Sequence, residues 1–259
     1  MRYPDAKKSF GQHFLKDQNV LEKMVEILKV WDTPNLIEIG PGTGALTKRL
    51  LVLGKNLRCI EADRDMQAYL MTHHILNEEQ LVKADVLDIN LKELFPDQDF
   101  ILCGNFPYNI SSQILIQTLF NADRIPHMIG MFQKEVAMRI IAKPGTKDYS
   151  SISVLNQLLY DPVKCFDIPP GAFQPPPKVM SSVVHLRRKE PLMDLQLFKN
   201  IQKLIRHAFQ FRRKTLRNNL KSYVQNINLL EGKYFDQRAE ALLPEEFIKL
   251  YTQLKSIEA

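Results

Sequence analysis

Residues 36–47 read "LIEIGPGTGALT", an apolar run that ends in a glycine-rich turn and continues into a helical pattern. The part "LIEIG" (36–40) predicts a short strand, and "ALTKRLLVLG" (45–54) has helical periodicity and closes on Gly54. Glycines let the backbone approach a ligand, and the first turn of a helix offers free amide donors. The stretch therefore predicts the first βα unit of an α/β sheet, with a ligand at its turn.

Further strand-like runs follow this unit, and helical patterns lie between them. The predicted strands are "LRCIEAD" (57–63), "LVKADVLD" (81–88), "FILCGN" (100–105) and the start of "HMIGMFQKEVAMRIIA" (127–142), and the predicted helices include "DMQAYLMTHHIL" (65–76) and "SSQILIQTLFN" (111–121). Strands that alternate with helices indicate βαβ units and a parallel sheet. We predict a Rossmann-like α/β fold, whose ligands bind beyond the carboxyl ends of the strands.

A domain boundary is predicted near residues 186–190, because the strand and helix alternation stops there. The preceding segment, 167–189, holds five of the 15 prolines of the chain and ends in the alternating run "SSVVHL". Residues 190–259 predict helices only, and residues 197–224 have the most regular helical pattern. For a chain of 259 residues we therefore expect a large domain, 1–188, and a smaller all-α domain, 189–259.

The composition is that of an ordinary globular protein, with 45% hydrophobic and 25% charged residues. The first residues contain no apolar stretch typical of a secretory signal. The uncharged run from Phe100 to Ala122 contains a proline and several amides and hydroxyls, which do not fit a membrane span. The three cysteines show no close pairing, which favours buried thiols over metal or redox chemistry. We expect a cytoplasmic protein with no metal and no membrane partner.

The positive charge of the chain is concentrated in its last third. Residues 186–259 hold 15 basic and 8 acidic side chains, whereas residues 1–185 are close to neutral. A basic surface of this kind is typical of nucleic-acid binding, although a solvated helix face gives the same composition. Two sets of cations have helical spacing, one formed by Lys199, Lys203 and Arg206 and one by Arg213, Arg217 and Lys221.

Acidic residues at two predicted strand ends suggest which cofactor the glycine turn holds. The turn fits the dinucleotide pattern G-x-G-x-x-[GA], and Glu61 follows at the distance of a ribose-binding acid, so an NAD-dependent oxidoreductase remains an alternative. Glu38 before the first glycine, however, completes the form E-x-G-x-G-x-G that is usual in S-adenosylmethionine enzymes. Asp85 ends the next strand and could accept a hydrogen bond from an adenine amino group.

The fourth strand ends in "GNFPYN" (104–109), a turn suited to an aromatic amine. An adenine amino nitrogen is a poor nucleophile because its lone pair is delocalised into the ring. The side-chain carbonyl of Asn105 and a backbone carbonyl near Phe106 or Pro107 could accept both amino hydrogens, which would turn the lone pair toward a sulfonium methyl group. Proline fixes the direction of the carbonyl and Tyr108 can stack on the base, so catalysis would rest on positioning.

Four stretches together resemble the KsgA-like family of ribosomal RNA adenine dimethyltransferases. They are "KKSFGQHFLKD" (7–17), "EIGPGTGALT" (38–47), "GNFPYNISS" (104–112) and "PPGAFQPPPKV" (169–179). The resemblance implies a seven-stranded S-adenosylmethionine-dependent methyltransferase sheet followed by a small helical domain. It places the cofactor contacts on His13, Leu15, Gly40, Glu61, Asp85 and Asn105.

The resemblance also assigns roles to aromatic residues and marks departures from the family pattern. Phe173 matches an aromatic residue that packs on the target adenine, and a buried loop anchor is the alternative for it. His13 stands where many members have asparagine, and Phe106 replaces the usual leucine or isoleucine.

The activity implied by the resemblance is dimethylation of two adjacent adenines in the 3′-terminal hairpin loop of 16S rRNA, late in assembly of the small ribosomal subunit. The partner would be the small subunit or its precursor, bound by a monomer. Two alternatives are an Erm-type enzyme acting on large-subunit rRNA and an assembly factor in which methylation is secondary. The expected RNA contacts are Arg187, Arg188, Lys199, Lys203, Arg206, Arg212, Arg213, Lys214, Arg217 and Lys221.

Overall fold

The computed structural model of the chain describes Lys7 and residues 11–258. Part of the predicted N-terminal motif, residues 8–10, lies outside the described residues. The same holds for residues 1–6, on which the expected lack of a secretory signal partly rests. By its internal contacts the chain forms two compact units, one of residues up to 137 with residues 163–188, the other of residues 138–162 with residues 189 onward.

The elements of the first unit alternate between strand and helix. They are β1 (Phe14–Leu15), α1 (Gln18–Lys29), β2 (Asn35–Ile39), α2 (Thr47–Leu50), β3 (Asn56–Glu61), α3 (Arg64–Thr72), β4 (Leu81–Lys83), β5 (Phe100–Asn105), α4 (Ser111–Phe120) and β6 (His127–Gln133). The helix α5 (Lys134–Ile141) follows β6 directly, and α6 (Ser151–Leu159) then leads into β7 (Tyr160–Ile168). Two more strands complete the set, β8 (Phe173–Gln174) and β9 (Ser181–Arg188).

Seven of these strands form one sheet in the order β4-β3-β2-β5-β6-β9-β7. The five strands from β4 to β6 pair in parallel, and β9 pairs antiparallel with β6. The two short strands β1 and β8 form a separate antiparallel pair. The predicted Rossmann-like α/β class is confirmed. The strand order reverses between β2 and β5, which is where sheets of this kind bind their ligands.

Strand β7 was missed by the sequence analysis. Asp161, Pro162, Lys164 and Asp167 interrupt the alternation of apolar residues that identifies a strand. An edge strand tolerates proline because one row of its amides has no partner strand, and β7 is the last strand of the sheet.

Large apolar side chains fill the interior of the first unit. Strand β2 and the first five residues of β5 are buried throughout, as expected for parallel strands covered on both faces. On α1 the buried residues Val20, Leu21, Met24 and Leu28 recur at helical spacing and face this core. Asp17 begins that helix by accepting a hydrogen bond from the backbone N–H of Val20.

The second unit is helical apart from the start of β7, and its helices α7 (Leu195–Ala208), α8 (Leu216–Leu220) and α9 (Pro244–Glu258) follow α6 in sequence. Phe198, Ile201, Leu204 and Ile205 form the buried stripe of α7. The hydroxyl of Tyr149 donates to the backbone oxygen of Leu242 at 2.9 Å.

The helical pattern of residues 197–224 is interrupted in the structure, because α7 ends at Ala208 and α8 begins only at Leu216. The side-chain amide of Asn219 donates to the backbone oxygens of Ala208 and Phe211, which satisfies carbonyls that a longer helix would have used. Arg213 therefore lies in a turn, and it does not share a helix face with Arg217 and Lys221 as predicted.

Phe106 fills a narrow space beside two strands. Its ring packs edge-on against Phe132, with 5.4 Å between the ring centroids. Two glycines make room for it, since a Cβ atom at Gly130 would overlap the ring and one at Gly104 would lie 3.0 Å from it. At Gly104 such an atom would also meet the backbone oxygen of Ile39 at 2.5 Å.

We expect Gly130→Ala to lower the free energy of unfolding by about 1–3 kcal/mol, the usual cost of overpacking. Because the added methyl group overlaps the Phe106 ring, the double variant with Phe106→Leu should recover much of the loss. Chemical denaturation measures both. Gly104→Ala is the matched control, since its clash with a backbone atom should persist beside Phe106→Leu. If Phe106→Leu restored stability equally to Gly130→Ala and to Gly104→Ala, this account would be contradicted.

Candidate active site

A cavity of about 230 Å³ lies in the first unit, where the carboxyl ends of β2, β3 and β5 meet. Almost all of the residues predicted to hold a cofactor or a target base line it. They are His13, Leu15, Gly40, Glu61, Asp85, Asn105, Phe106, Pro107 and Tyr108. The cavity therefore joins residues from five separate stretches of the chain at the point where the strand order reverses.

The glycine turn after β2 has a backbone that only glycine adopts readily. Gly40 and Gly42 have φ angles of 69° and 55°, in the left-handed region. A Cβ atom at Gly42 would lie 3.0 Å from the ring of Phe14, so the turn also needs glycine for space. The backbone N–H of Gly40 donates to the oxygen of Ile60 at 2.9 Å, which holds the turn against β3.

Glu61 at the end of β3 is 6% exposed and is held by two backbone donors. Its carboxylate accepts from the N–H of Gly42 at 3.1 Å and from the N–H of Asp63 at 2.9 Å. Burial raises the pKa of Glu61, and these two hydrogen bonds oppose that rise. A carboxylate offers about four lone-pair sites, so acceptor capacity remains for the hydroxyl groups of a ribose.

Two other acidic residues line the same cavity in contrasting environments. Asp85 is exposed, and one of its oxygens accepts from the N–H of Leu87 at 2.9 Å. Glu38 is fully buried near the end of β2, and burial raises its pKa to about 7. The thiol of Cys59 donates to Glu38 at 3.5 Å. Asp85 can therefore meet a ligand from its exposed position, whereas Glu38 is held in the interior beside β3.

The side chain of Asn105 is oriented by the N-terminal segment. Its amide nitrogen Nδ2 donates to the backbone oxygen of His13 at 2.7 Å. Only the NH₂ group can donate to a carbonyl, so this hydrogen bond defines which end of the amide faces His13. The carbonyl oxygen of Asn105 is left as an acceptor at the cavity, which is the atom that the sequence analysis assigned to an amino hydrogen.

Tyr108 and His13 form an aromatic side of the cavity. The hydroxyl of Tyr108 hydrogen-bonds to the hydroxyl of Ser181, a buried residue of β9. The rings of Tyr108 and His13 are tilted toward each other, with centroids 5.4 Å apart. His13 in turn hydrogen-bonds through Nδ1 to the oxygen of Pro175 at 2.8 Å. Both rings are thus fixed by groups outside the cavity.

Phe173 does not line the cavity in this structure. It is 1% exposed and lies opposite Leu15 in the β1–β8 pair, within the main hydrophobic core. This position fits the alternative of a buried loop anchor. The Phe106 side chain is also buried in the packing described above, so what it offers a ligand is its backbone carbonyl.

A buried aspartate missed by the sequence analysis ties the N-terminal segment to the end of β3. Asp63 has its side chain fully buried and accepts from Nζ of Lys7 at 2.6 Å and from Nε2 of Gln12 at 2.9 Å. Burial opposes ionisation, but these two hydrogen bonds lower the pKa of Asp63. The position of Asp63, two residues after Glu61 at the end of a predicted strand, could have indicated that it lies near the site. No local sequence pattern indicated a role for Ser181.

Most of the residues that were predicted to contact RNA are exposed to solvent. Lys199, Lys203 and Arg206 are exposed on α7, and Arg187, Arg212, Arg213, Lys214 and Lys221 are also exposed. The guanidinium of Arg212 donates to the backbone oxygen of Lys147.

Arg188 and Arg217, which were also predicted to contact RNA, each make several contacts within the chain. Arg188 donates to the backbone oxygens of Ala122 and Asp123, both at 3.1 Å. Arg217 pairs with Asp236 at 2.7 Å and also donates to the oxygens of Leu230 and Gly232. The structure therefore gives these two arginines a role in holding loops.

In the part of the chain that the structure describes, no helix is long and apolar enough to cross a membrane. Within Lys7 and residues 11–258, no group of three or more histidine, cysteine or acidic residues is placed to hold a metal ion.

The fold and this cavity are those of an α/β enzyme with a ligand site at its glycine turn, and comparisons with known proteins give its family. The family model for ribosomal RNA adenine dimethylase matches residues 4–254. A Ribosomal RNA small subunit methyltransferase A from Flavobacterium johnsoniae is 42% identical over 97% of this chain and 96% of its own length. One of the same name from Bacteroides thetaiotaomicron is 40% identical over 98% of this chain and 96% of its own length.

The chain belongs to the ribosomal RNA adenine dimethylase family and is an rRNA adenine dimethyltransferase. The glycine turn had left the choice between S-adenosylmethionine and NAD open. Membership in this family favours S-adenosylmethionine, because the family is one of methyltransferases. Among solved structures, a dimethyladenosine transferase from Plasmodium falciparum has a TM-score of 0.78 and 27% identity, over 94% of this chain and 98% of its own. The 23S rRNA methyltransferase ErmE, with a TM-score of 0.66 and 21% identity over 93% and 99% of the two chains, shares the fold.

We expect Ser181→Ala to slow methyl transfer about ten- to a hundredfold, because the ring of Tyr108 loses the partner that fixes it beside the cavity. Tyr108→Phe should have a similar effect, and the double variant should be no slower than either single one, since both remove the same hydrogen bond. Single-turnover rates at saturating cofactor measure this. Additive losses in the double variant would contradict the shared role.

Proposed function

We propose that this chain transfers methyl groups from S-adenosylmethionine to the N6 amino groups of two adjacent adenines in the 3′-terminal hairpin loop of 16S rRNA, late in small-subunit assembly. The observation that carries the proposal is the oriented Asn105 amide, whose NH₂ is held by His13 and whose carbonyl remains for the target amine. The domain roles proposed with it are cofactor binding and catalysis in residues 1–188 and rRNA binding in residues 189–259.

The cavity fits S-adenosylmethionine on the chemistry of its donors. Glu61 would accept from ribose hydroxyls and Asp85 from an adenine amino group, and the glycine turn would allow a close approach to the backbone; all three line the cavity. When bound, this cofactor supplies an electrophilic methyl group. His13 and Leu15 would close the cavity from the N-terminal side.

Residues at the end of β5 and in the turn after it would make the adenine amine reactive by holding it in a fixed orientation. The carbonyl of Asn105 and a backbone carbonyl at Phe106 or Pro107 accept the two amino hydrogens and direct the nitrogen lone pair toward the cofactor side. Tyr108, anchored on Ser181, stacks on the base. The methylated nitrogen is cationic and acidic enough to release its proton to water, so the step needs preorganised acceptors and no strong base.

The choice of substrate rests on the relatives and on charge. Proteins about 40% identical to this chain along its length bear a small-subunit name, whereas ErmE shares the fold alone, so the Erm-type alternative is not preferred. The exposed cations on α7 and in the turn after it suit a phosphate backbone. A monomer acting on small-subunit precursors would work in the cytoplasm, where such subunits are assembled.

We expect Asn105→Ala to reduce methyl transfer to immature small subunits at least about a hundredfold, because one of two preorganised acceptors is removed. Transfer of labelled methyl groups at saturating cofactor measures the loss, and mapping the label in wild type identifies the nucleotides. The loss of the His13 contact should lower cofactor affinity by a smaller factor.

Two outcomes of the same experiment would change the assignment. Label on large-subunit rRNA from the wild-type protein would support the Erm-type alternative. An Asn105→Ala protein that still binds small subunits and stalls their maturation would add an assembly role to the enzyme.

Arg213 and Arg217 should behave differently despite their similar sequence setting. We expect Arg213→Gln to weaken binding to small subunits and to reduce the slope of log K against log salt by about one, because one phosphate contact is lost. Arg217→Gln should instead lower the thermal midpoint, since it removes the pairing with Asp236 and two backbone contacts. Unchanged stability in Arg217→Gln would contradict its structural assignment.

A further inference from the structure

The turn between α7 and α8 exposes a large aromatic side chain. Phe211 is 57% exposed, and the next three residues are the exposed cations Arg212, Arg213 and Lys214. Phe209, two residues earlier, is partly buried and packs against Tyr149 of the same unit, with 6.1 Å between the ring centroids. The turn thus directs one phenylalanine inward and the other to solvent.

A buried amide holds the turn in this shape. Asn219 is 3% exposed, and its side chain donates to the backbone oxygens of Ala208 at 2.6 Å and Phe211 at 3.1 Å. Its own oxygen accepts from the backbone N–H of Phe211 at 3.1 Å. The N–H of Lys214 also donates to the oxygen of Phe211 at 2.9 Å. The backbone that carries Phe211 is therefore fixed on both sides, and the ring is presented at little further cost in conformational entropy.

We infer that Phe211 is a stacking platform for an unpaired base of the RNA, with the adjacent cations on the flanking phosphates. Proteins that bind single-stranded nucleic acid combine a cationic surface with aromatic faces on which bases stack. RNA loops and bulges offer splayed bases to such faces. The inference rests on the proposed function, because it names a contact with the same rRNA substrate.

Charge distinguishes RNA from a protein partner for this surface. No acidic residue occurs in the sequence between Asp194 and Glu231, a stretch that includes α7, the turn and α8. In the core of a protein interface, charged residues are depleted around aromatic anchors, whereas three consecutive cations in a stretch of sequence without acidic residues match a polyanion.

The test uses two substitutions of Phe211, one that keeps an aromatic ring and one that keeps only an apolar side chain. We expect Phe211→Leu to weaken binding to immature small subunits roughly ten- to a hundredfold, which is the usual effect of removing a stacked aromatic residue. Phe211→Tyr should stay within about twofold of wild type because the ring is kept. Ile227→Ala is the control, since Ile227 is 56% exposed in the same unit and has no assigned contact. Thermal midpoints should be unchanged in all three.

Salt titration and cross-linking complete the test. The slope of log K against log salt should be the same for Phe211→Leu and wild type, whereas Arg213→Gln should lower it by about one. A photo-reactive benzoylphenylalanine at position 211 should cross-link to a nucleotide. Cross-links only to ribosomal protein, or wild-type affinity in Phe211→Leu, would overturn the inference. Wild-type protein that neither binds nor methylates small subunits would instead refute the proposed function.

Discussion

The parallel pairing of β2 with β5 is the constraint on which the site depends. Leu36 lies opposite Ile101 and Glu38 opposite Cys103, so the two strands end at the same edge of the sheet. Each strand is followed by a turn whose backbone cannot continue it, a glycine in the left-handed region after β2 and Phe-Pro after β5. The proposed place for the cofactor and the proposed place for the target amine are therefore neighbours because of hydrogen bonds in the middle of the sheet.

Polar groups at this edge are fixed by backbone atoms or by side chains of the N-terminal segment, and not by one another. Glu61 is held by two N–H groups, Asn105 by one carbonyl and Asp63 by side chains of the N-terminal segment. Buried polar groups must be hydrogen-bonded, so each of these contacts also fixes a direction. A site that works by placing acceptors around an amine needs fixed directions more than it needs shifted pKa values.

The basic residues of the C-terminal part of the chain have two kinds of structural setting that sequence spacing does not separate. Arg217 and Arg188 each donate to two backbone oxygens and face an aspartate, as the planar guanidinium allows. Arg213 and Lys214, close to Arg217 in sequence, extend from a turn into solvent. The break in the helix at residues 209–215 produces this difference, and Asn219 stabilises the break.

The alternation of strand and helix, the positions of the glycine turn and of the turn at residues 104–109, and the acids at the strand ends can all be predicted from the amino-acid sequence. These follow from local rules, namely the periods of strand and helix and the backbone angles that glycine and proline permit. The sequence by itself did not determine strand β7, the end of α7, the burial of Phe173 or the partners of Arg188 and Arg217. Only the tertiary structure decided these, and the orientation of Asn105 as well, because each depends on contacts with residues that are remote in sequence: His13, which orients Asn105, is 92 residues away.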